Sequence, residues 1–377
     1  MISKRLLLLG GLAILIVVLD HTVGFGQIAM FLWTNRYRPV TVPNYDLVGS
    51  VQYYIFLAIR QLGSFAVPSF LFISGFFIGY AAQGERSTVK WRTIYSKIVA
   101  LVIPYLIWSG IVYISDAMLG VVHPPVSYLT FLFTTGAIVN GPYYYIPLLC
   151  YLYILSPLII QLAKTNWKIV LIITGLIQLC TLIVSYLSLF ILDSPFLHFL
   201  QILTPDWVFL RWIFFFTIGI VFCFQMDPLK QWLEQNKQIL LVLAIGLWVM
   251  NIVEAEVRFR LLRTDWFPNA GINTLTYNLF SIIFILAFLA FSKVSIPYSN
   301  ILTQLSSKSY GIYLIHYLAI EFTAKSIYHF APWILGQEWL FQPILILFGL
   351  GGPLLLMSIT IRLQRVMPVR YYRYIFG

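Results

Sequence analysis

Stretches of about twenty apolar residues recur from one end of this chain to the other, and no other feature constrains its fold as much. A bilayer core takes ~20 predominantly apolar residues per helix. Ten such stretches are present, at about 6–27, 61–82, 95–117, 143–163, 168–191, 207–226, 238–254, 271–292, 309–328 and 339–363. Lipid offers no partner to a backbone N–H or C=O, so runs of this length must satisfy their own groups as helices. Of the 377 residues 60% are hydrophobic and 10% are charged, against about 25% charged in a soluble domain. The prediction is an all-α polytopic membrane protein, one membrane domain spanning 1–377. Gly351-Gly352-Pro353 should bend the last helix. A further apolar stretch, 126–139, is too short to span comfortably. It lies between Pro124-Pro125 and Asn140-Gly141-Pro142, which reads as an interfacial or re-entrant segment.

The formal charge is +11. Zinc-finger spacing, a Gly-rich phosphate loop and an aromatic ribonucleoprotein motif are all missing, so nucleic acid is not an expected partner. Lys and Arg instead follow the loops. With the N-terminus in the cytoplasm, 16 of the 24 basic residues fall on the cytoplasmic side and 8 on the outer side. That bias predicts ten spans with both termini cytoplasmic. An eleventh span at 126–139 would invert every later loop. The first apolar run follows Lys4-Arg5 and lacks a small-x-small cleavage site, so it reads as a retained first helix that also directs insertion. Cys150, Cys180 and Cys223 lie in apolar stretches without pairing or ligand spacing. They read as packing residues rather than as a disulfide or metal site.

An ionisable residue costs ~2.5–3.5 kcal/mol at the centre of a membrane helix, so the few present are the first candidates for function. Asp20 and His21 lie in the outer part of the first stretch, Arg60 at the start of the second and Arg211 at the entry to the sixth. His316 is near the middle of the ninth, with Glu321 toward its outer end. Most of these groups fall in the outer half of the membrane, as they would around a polar cavity. A neutral His suits general-base work. Asp20 is ~100° round the helix from His21 and is badly placed to orient its neighbour's ring, whereas a carboxylate from another helix, such as Glu321, could do so. His316 reads equally as a hydrogen-bonded core residue. On the cytoplasmic side Arg86, Lys90, Arg92 and Lys97 form a basic run. It suits pyrophosphate or anionic headgroups, and equally the ordinary inside bias.

Four segments, taken in order, carry a resemblance. Leu12 to His21 is the first. Val67-Pro68-Ser69-Phe70-Leu71-Phe72-Ile73-Ser74-Gly75-Phe76 is the second, followed by Ile103-Pro104-Tyr105. Tyr143-Tyr144-Tyr145-Ile146-Pro147 is the third, and Ser309-Tyr310-Gly311-Ile312-Tyr313-Leu314-Ile315-His316 the fourth. Together they resemble the acyltransferase-3 family of integral-membrane O-acyltransferases, over nearly the whole chain. The resemblance implies ten membrane helices in the cell membrane and no permanently bound cofactor. It implies acyl-CoA, acetyl-CoA first, as co-substrate, and a sugar hydroxyl on an envelope polysaccharide or glycolipid as acceptor. His21 matches the family's presumed catalytic base, and Ser74 lies in the intact Ser-Gly-Phe segment. Arg60 and Arg211 would support the outer cavity, and Tyr143, Tyr144 and Tyr145 would line the acceptor path or form an aromatic belt. Arg86, Arg92 and Lys97 would meet the coenzyme A phosphates. The family usually has an Arg about eleven residues before the His, and Gly10 stands there. Two other readings stay open from sequence alone: a transporter or flippase of a lipid-linked sugar, and a non-catalytic member that binds lipid or a partner.

Overall fold

A computed structural model describes residues 2–84, 87–118, 120, 124–134, 142–190, 194–204, 208–262, 274–364 and 371–377. No strand occurs among them. In chain order the helices are α1 (Ile2–Phe31), α2 (Val51–Leu62), α3 (Ala66–Ala81), α4 (Trp91–Met118), α5 (Pro125–Phe133), α6 (Tyr145–Phe190) and α7 (Pro195–Leu203). They continue with α8 (Ile213–Phe224), α9 (Met226–Leu262), α10 (Leu275–Ala290), α11 (Ser299–Ser307), α12 (Ser309–Phe330), α13 (Glu338–Gln364) and α14 (Tyr372–Phe376). Among the described residues six helical stretches are long and apolar enough to cross a membrane: α1, α2 with α3 as one stretch, α4, α6, α9 and α13. Helices α8 and α10 are shorter and apolar.

Each of the ten apolar stretches is mainly helical where it is described, with 3-10 turns or breaks near the ends of several, as at Phe209–Arg211 before α8. Two of them share α6, whose helical backbone breaks at Asn166 (φ −152°, ψ 89°). The second stretch differs from expectation at its start. Its helix begins at Val51, after an N-cap in which Ser50 Oγ accepts from the Tyr53 N–H at 3.2 Å. It then tightens into a 3-10 turn at Gly63–Phe65 before continuing as α3. Arg60 therefore lies inside α2, not at its beginning. Segment 126–139 contributes α5, nine residues long and so ~13 Å by helical rise, and 135–139 lie outside the described residues. Pro343 and Pro353 both sit inside α13, which runs unbroken from Glu338 to Gln364.

The central element is α1, which packs against α2, α3, α11, α12 and α13. Its buried side chains include Leu6, Leu9, Ala13, Ile14 and Val18. Small residues allow the closest crossings. A Cβ on Gly75 of α3 would fall on the Phe216 carbonyl of α8, and one on Gly219 of α8 would fall on the Phe72 carbonyl of α3. This reciprocal glycine contact brings two backbones together without side chains between them, as membrane helices commonly do. Outward faces stay apolar: Ile114, Leu176, Val242 and Leu355 are exposed. Such a surface suits lipid and not water.

Candidate active site

A cavity of about 570 Å³ runs beside α1. Its wall follows α1 from Leu6 and Gly10 through Val17 to Asp20 and His21, which is roughly 22 Å of helix at 1.5 Å per residue. Arg60, Gln61 and Ser64 close it near His21, and Ser74, Tyr144, Tyr145, Tyr277 and Tyr313 line its length. Ser306, Ser309 and Tyr310 lie toward Gly10. Among the described lining residues, Arg60 is the only cation and Asp20 the only carboxylate.

The charged end is held tightly. Arg60 Nε lies 3.3 Å from Asp20 Oδ1, and Arg60 Nη1 donates to Gln27 Oε1 at 2.8 Å. Both partners come from α1, so one arginine on α2 fixes two sites two turns apart. The turn at Gly63 brings α2 close to α1 here: Gly63 sits against Ile16, which a Cβ would crowd, and beside Asp20. Asn251 of α9 braces the same turn by donating to Ser64 Oγ at 2.9 Å and to the Gln61 carbonyl at 3.3 Å.

His21 is half-buried. Its ring centroid lies 5.1 Å from that of His316 and 5.3 Å from that of Tyr317, the latter in a T-shaped contact. His316 is fully buried in α12. Its Nδ1 lies 3.1 Å from the Ile312 carbonyl oxygen and 2.8 Å from that of Tyr313. Both are acceptors, so in the neutral ring Nδ1 carries the proton and Nε2 presents a lone pair. That Nε2 is buried and has no hydrogen-bond partner among the described residues. An unsatisfied buried acceptor costs ~1–3 kcal/mol. A ring-centroid separation of 5.1 Å is one at which a nitrogen of each ring, where they face each other, comes within hydrogen-bond range.

The other residues singled out from sequence divide into two groups. Ser74, Tyr144 and Tyr145 line the cavity together with His21, Asp20 and Arg60. Tyr143 does not line it; its hydroxyl donates to the Leu314 carbonyl and ties the 3-10 turn Pro142–Tyr144, just before α6, to α12. Glu321 lies outside the lining and pairs with Lys325 at 2.7 Å on its own helix, so the structure does not bring it to His21. Arg211 donates from Nε and Nη2 to the Thr204 carbonyl at 2.9 and 2.7 Å, away from the cavity. Arg92 is exposed. Lys97 Nζ sits 5.7 Å over the Tyr153 ring, and Tyr153 lines the cavity. Arg86 lies outside the described residues. Sequence reasoning passed over Gln61, Ser64, Asn251 and Ser306, which are uncharged polar residues. The signal of the first three was polarity within an apolar stretch, weaker than charge; Ser306, on the short helix α11, lies outside the stretches and gave none.

Gly10 faces the cavity, and a Cβ there would come within 2.6 Å of Ser306 Oγ. The nearest basic residue on α1, Arg5, does not take the place of an arginine at 10. Its Nε and Nη1 donate to the Phe288 and Val294 carbonyls at 2.9 and 3.1 Å, on the side of α10.

Long apolar helices around a cavity that holds a histidine beside an ion pair define a membrane-embedded protein with the makings of a group-transfer site. The chain belongs to the acyltransferase-3 family, whose acyltransferase domain matches residues 7–358. Relatives from Staphylococcus aureus strains MSSA476, MW2 and MRSA252 are each 23% identical over 334 residues, covering 86% of this chain and 87% of the relative. Each is named "Probable poly-beta-1,6-N-acetyl-D-glucosamine export protein". No solved structure matches the chain significantly.

Proposed function

We propose that this protein is an O-acyltransferase that moves an acyl group, acetyl first among candidates, from acyl-CoA to a hydroxyl of an envelope polysaccharide or glycolipid. The observation that carries this reading is the single cavity joining the His21 end of α1 to the Gly10 end. The ten-span topology with cytoplasmic termini, supported by the 16-to-8 distribution of basic residues, puts Gly10 toward the cytoplasm and His21 toward the outside. Acyl-CoA then approaches from within, with Lys97, Arg92 and Arg86 near its phosphates, and its thioester arm lies along the Gly10–Ser306 end. The acceptor sugar enters from the outer side against Tyr144 and Tyr145.

The chemistry follows from the two histidines. His21 donates its N–H to His316 Nε2, which leaves the other His21 nitrogen as base. The acceptor hydroxyl gives its proton to that nitrogen while its oxygen attacks the thioester carbonyl carbon. Arg60, held by Asp20 and Gln27, stabilises the tetrahedral oxyanion. The C–S bond then breaks and the thiolate takes the proton from His21. The products are the sugar ester and free coenzyme A, with no net proton released. Ser74 contributes a hydroxyl to the wall of the same path.

The relatives' name favours a second reading, export of a poly-N-acetylglucosamine chain. Sealed vesicles separate the two. Labelled acetyl-CoA is supplied on the cytoplasmic face and a glucosamine oligomer on the other. Labelled ester on the oligomer supports acyl transfer; movement of unmodified oligomer without label supports export.

A further inference from the structure

A second cleft, of about 290 Å³ and sharing no lining residue with the active-site cavity, lies between α9 and α10. Its walls are almost wholly apolar, and include Leu241, Ile245 and Trp248 of α9 and Phe280 and Phe284 of α10. Arg5 stands at one end, beside Phe288 and Phe291. We propose that this cleft binds an anionic phospholipid of the leaflet at the N-terminal end of α1, with the phosphate on Arg5 and one acyl chain in the trough.

Three observations point to that occupant. The first is charge. Arg5 is 6% exposed, and among the described residues no carboxylate lies within salt-bridge distance of it. Two neutral carbonyls take Nε and Nη1, and the Phe288 ring lies 4.2 Å from the guanidinium carbon. These partners stabilise the cation without neutralising it, and Nη2 is left to take an anion. Buried charges are normally paired, and a phosphate at the cleft mouth completes the set. The second is depth. Arg5 is the fourth residue of a 30-residue helix, which at ~45 Å matches a bilayer with its headgroup regions. It therefore sits at headgroup level. The third is length. From Phe291 to Phe280 the trough runs 11 residues along α10, or ~16 Å. That is about half of a ~30 Å hydrocarbon core, the depth of one leaflet. A trough that starts at a cation in the headgroup zone and ends near mid-membrane has the shape of one lipid chain.

The test uses the full-length protein in nanodiscs. Trp248 lines the trough, and the difference between the native chain and Trp248→Phe isolates its fluorescence. Quenching by phosphatidylglycerol with brominated acyl chains should exceed that by brominated phosphatidylcholine with a roughly fivefold preference, the size expected of one basic residue at an anionic surface. Arg5→Gln should abolish the preference. Ala244→Phe, which narrows the trough and leaves Arg5 in place, should remove the quenching by both lipids and the phosphatidylglycerol retained in native mass spectrometry. Equal quenching by the two lipids in the native chain, or an unchanged preference in folded Arg5→Gln, overturns the proposal. Quenching that persists in Ala244→Phe does so too. None of these readouts depends on acyl transfer.

Discussion

His316 Nδ1 is held between the Ile312 and Tyr313 carbonyl oxygens, and the His316 ring so fixed lies 5.1 Å from the His21 ring between centroids. The two histidines are 295 positions apart in the chain and adjacent in the fold. If His316 positions His21 by accepting its N–H, glutamine, whose amide oxygen can also accept, should serve in part. His316→Gln should keep measurable acyl transfer. His316→Leu, similar in volume but without an acceptor, should lose roughly a hundredfold in kcat, the size expected when a reacting group is misplaced, with donor KM little changed. Steady-state kinetics of the two variants in vesicles decides this; equal loss in both would make His316 a packing residue only.

The Asp20–Arg60 contact joins α1 to α2 at the cavity, and Arg60 reaches Gln27 as well. Asp20→Asn and Arg60→Ala should each lower the thermal midpoint and the rate. The double variant should be less impaired than the sum, because groups in contact couple by ~0.5–3 kcal/mol. A double-mutant cycle on thermal unfolding in detergent measures the coupling, and strict additivity would remove the pair from the account.

Gly75 and Gly219 face each other's helices at backbone distance. Gly75→Ala and Gly219→Ala should each destabilise by at least the ~1–3 kcal/mol typical of overpacking, since the obstacle is a carbonyl and cannot rotate away. Gly10→Ala should be milder, because only the Ser306 hydroxyl stands in its way. Thermal unfolding followed by size-exclusion chromatography ranks the three.

Gly10 lines the cavity end assigned to the donor. Gly10→Phe should fill that end and raise the donor KM by about tenfold or more while sparing kcat, the pattern of lost binding made equally in ground and transition states. Isotope-labelled acetyl-CoA titrations read the split. A fall in kcat alone would place the donor elsewhere.

The helical layout was legible because hydropathy along one segment reports a local property. All ten stretches are mainly helical where described, and the departure at Val51 has a physical cause. Gln52, Tyr53, Tyr54 and Arg60 dilute the hydropathy of α2, yet Tyr53 is buried and donates to Glu256 of α9. Tertiary partners satisfied what the sequence alone made look like a loop. The site was legible as separate residues and not as a constellation. His21, His316, Asp20 and Arg60 all stood out as ionisable groups in apolar surroundings, but their pairing depends on how α1, α2 and α12 cross. Glu321 stood as a carboxylate that could orient His21; in the fold it pairs with Lys325, its i+4 neighbour on the same helix. Asn251 and Ser64 drew no attention because an uncharged polar group in a span costs less than a charge.

The central claim is that His21 is the base for acyl transfer through this cavity. Its most direct measurement is the transfer of labelled acetyl from acetyl-CoA to a glucosamine oligomer by vesicles carrying either the native chain or His21→Ala, matched for folded protein by thermal unfolding. The predicted result is labelled ester with the native chain and none above background with His21→Ala, at an unchanged unfolding midpoint. Equal transfer by the two would contradict the account.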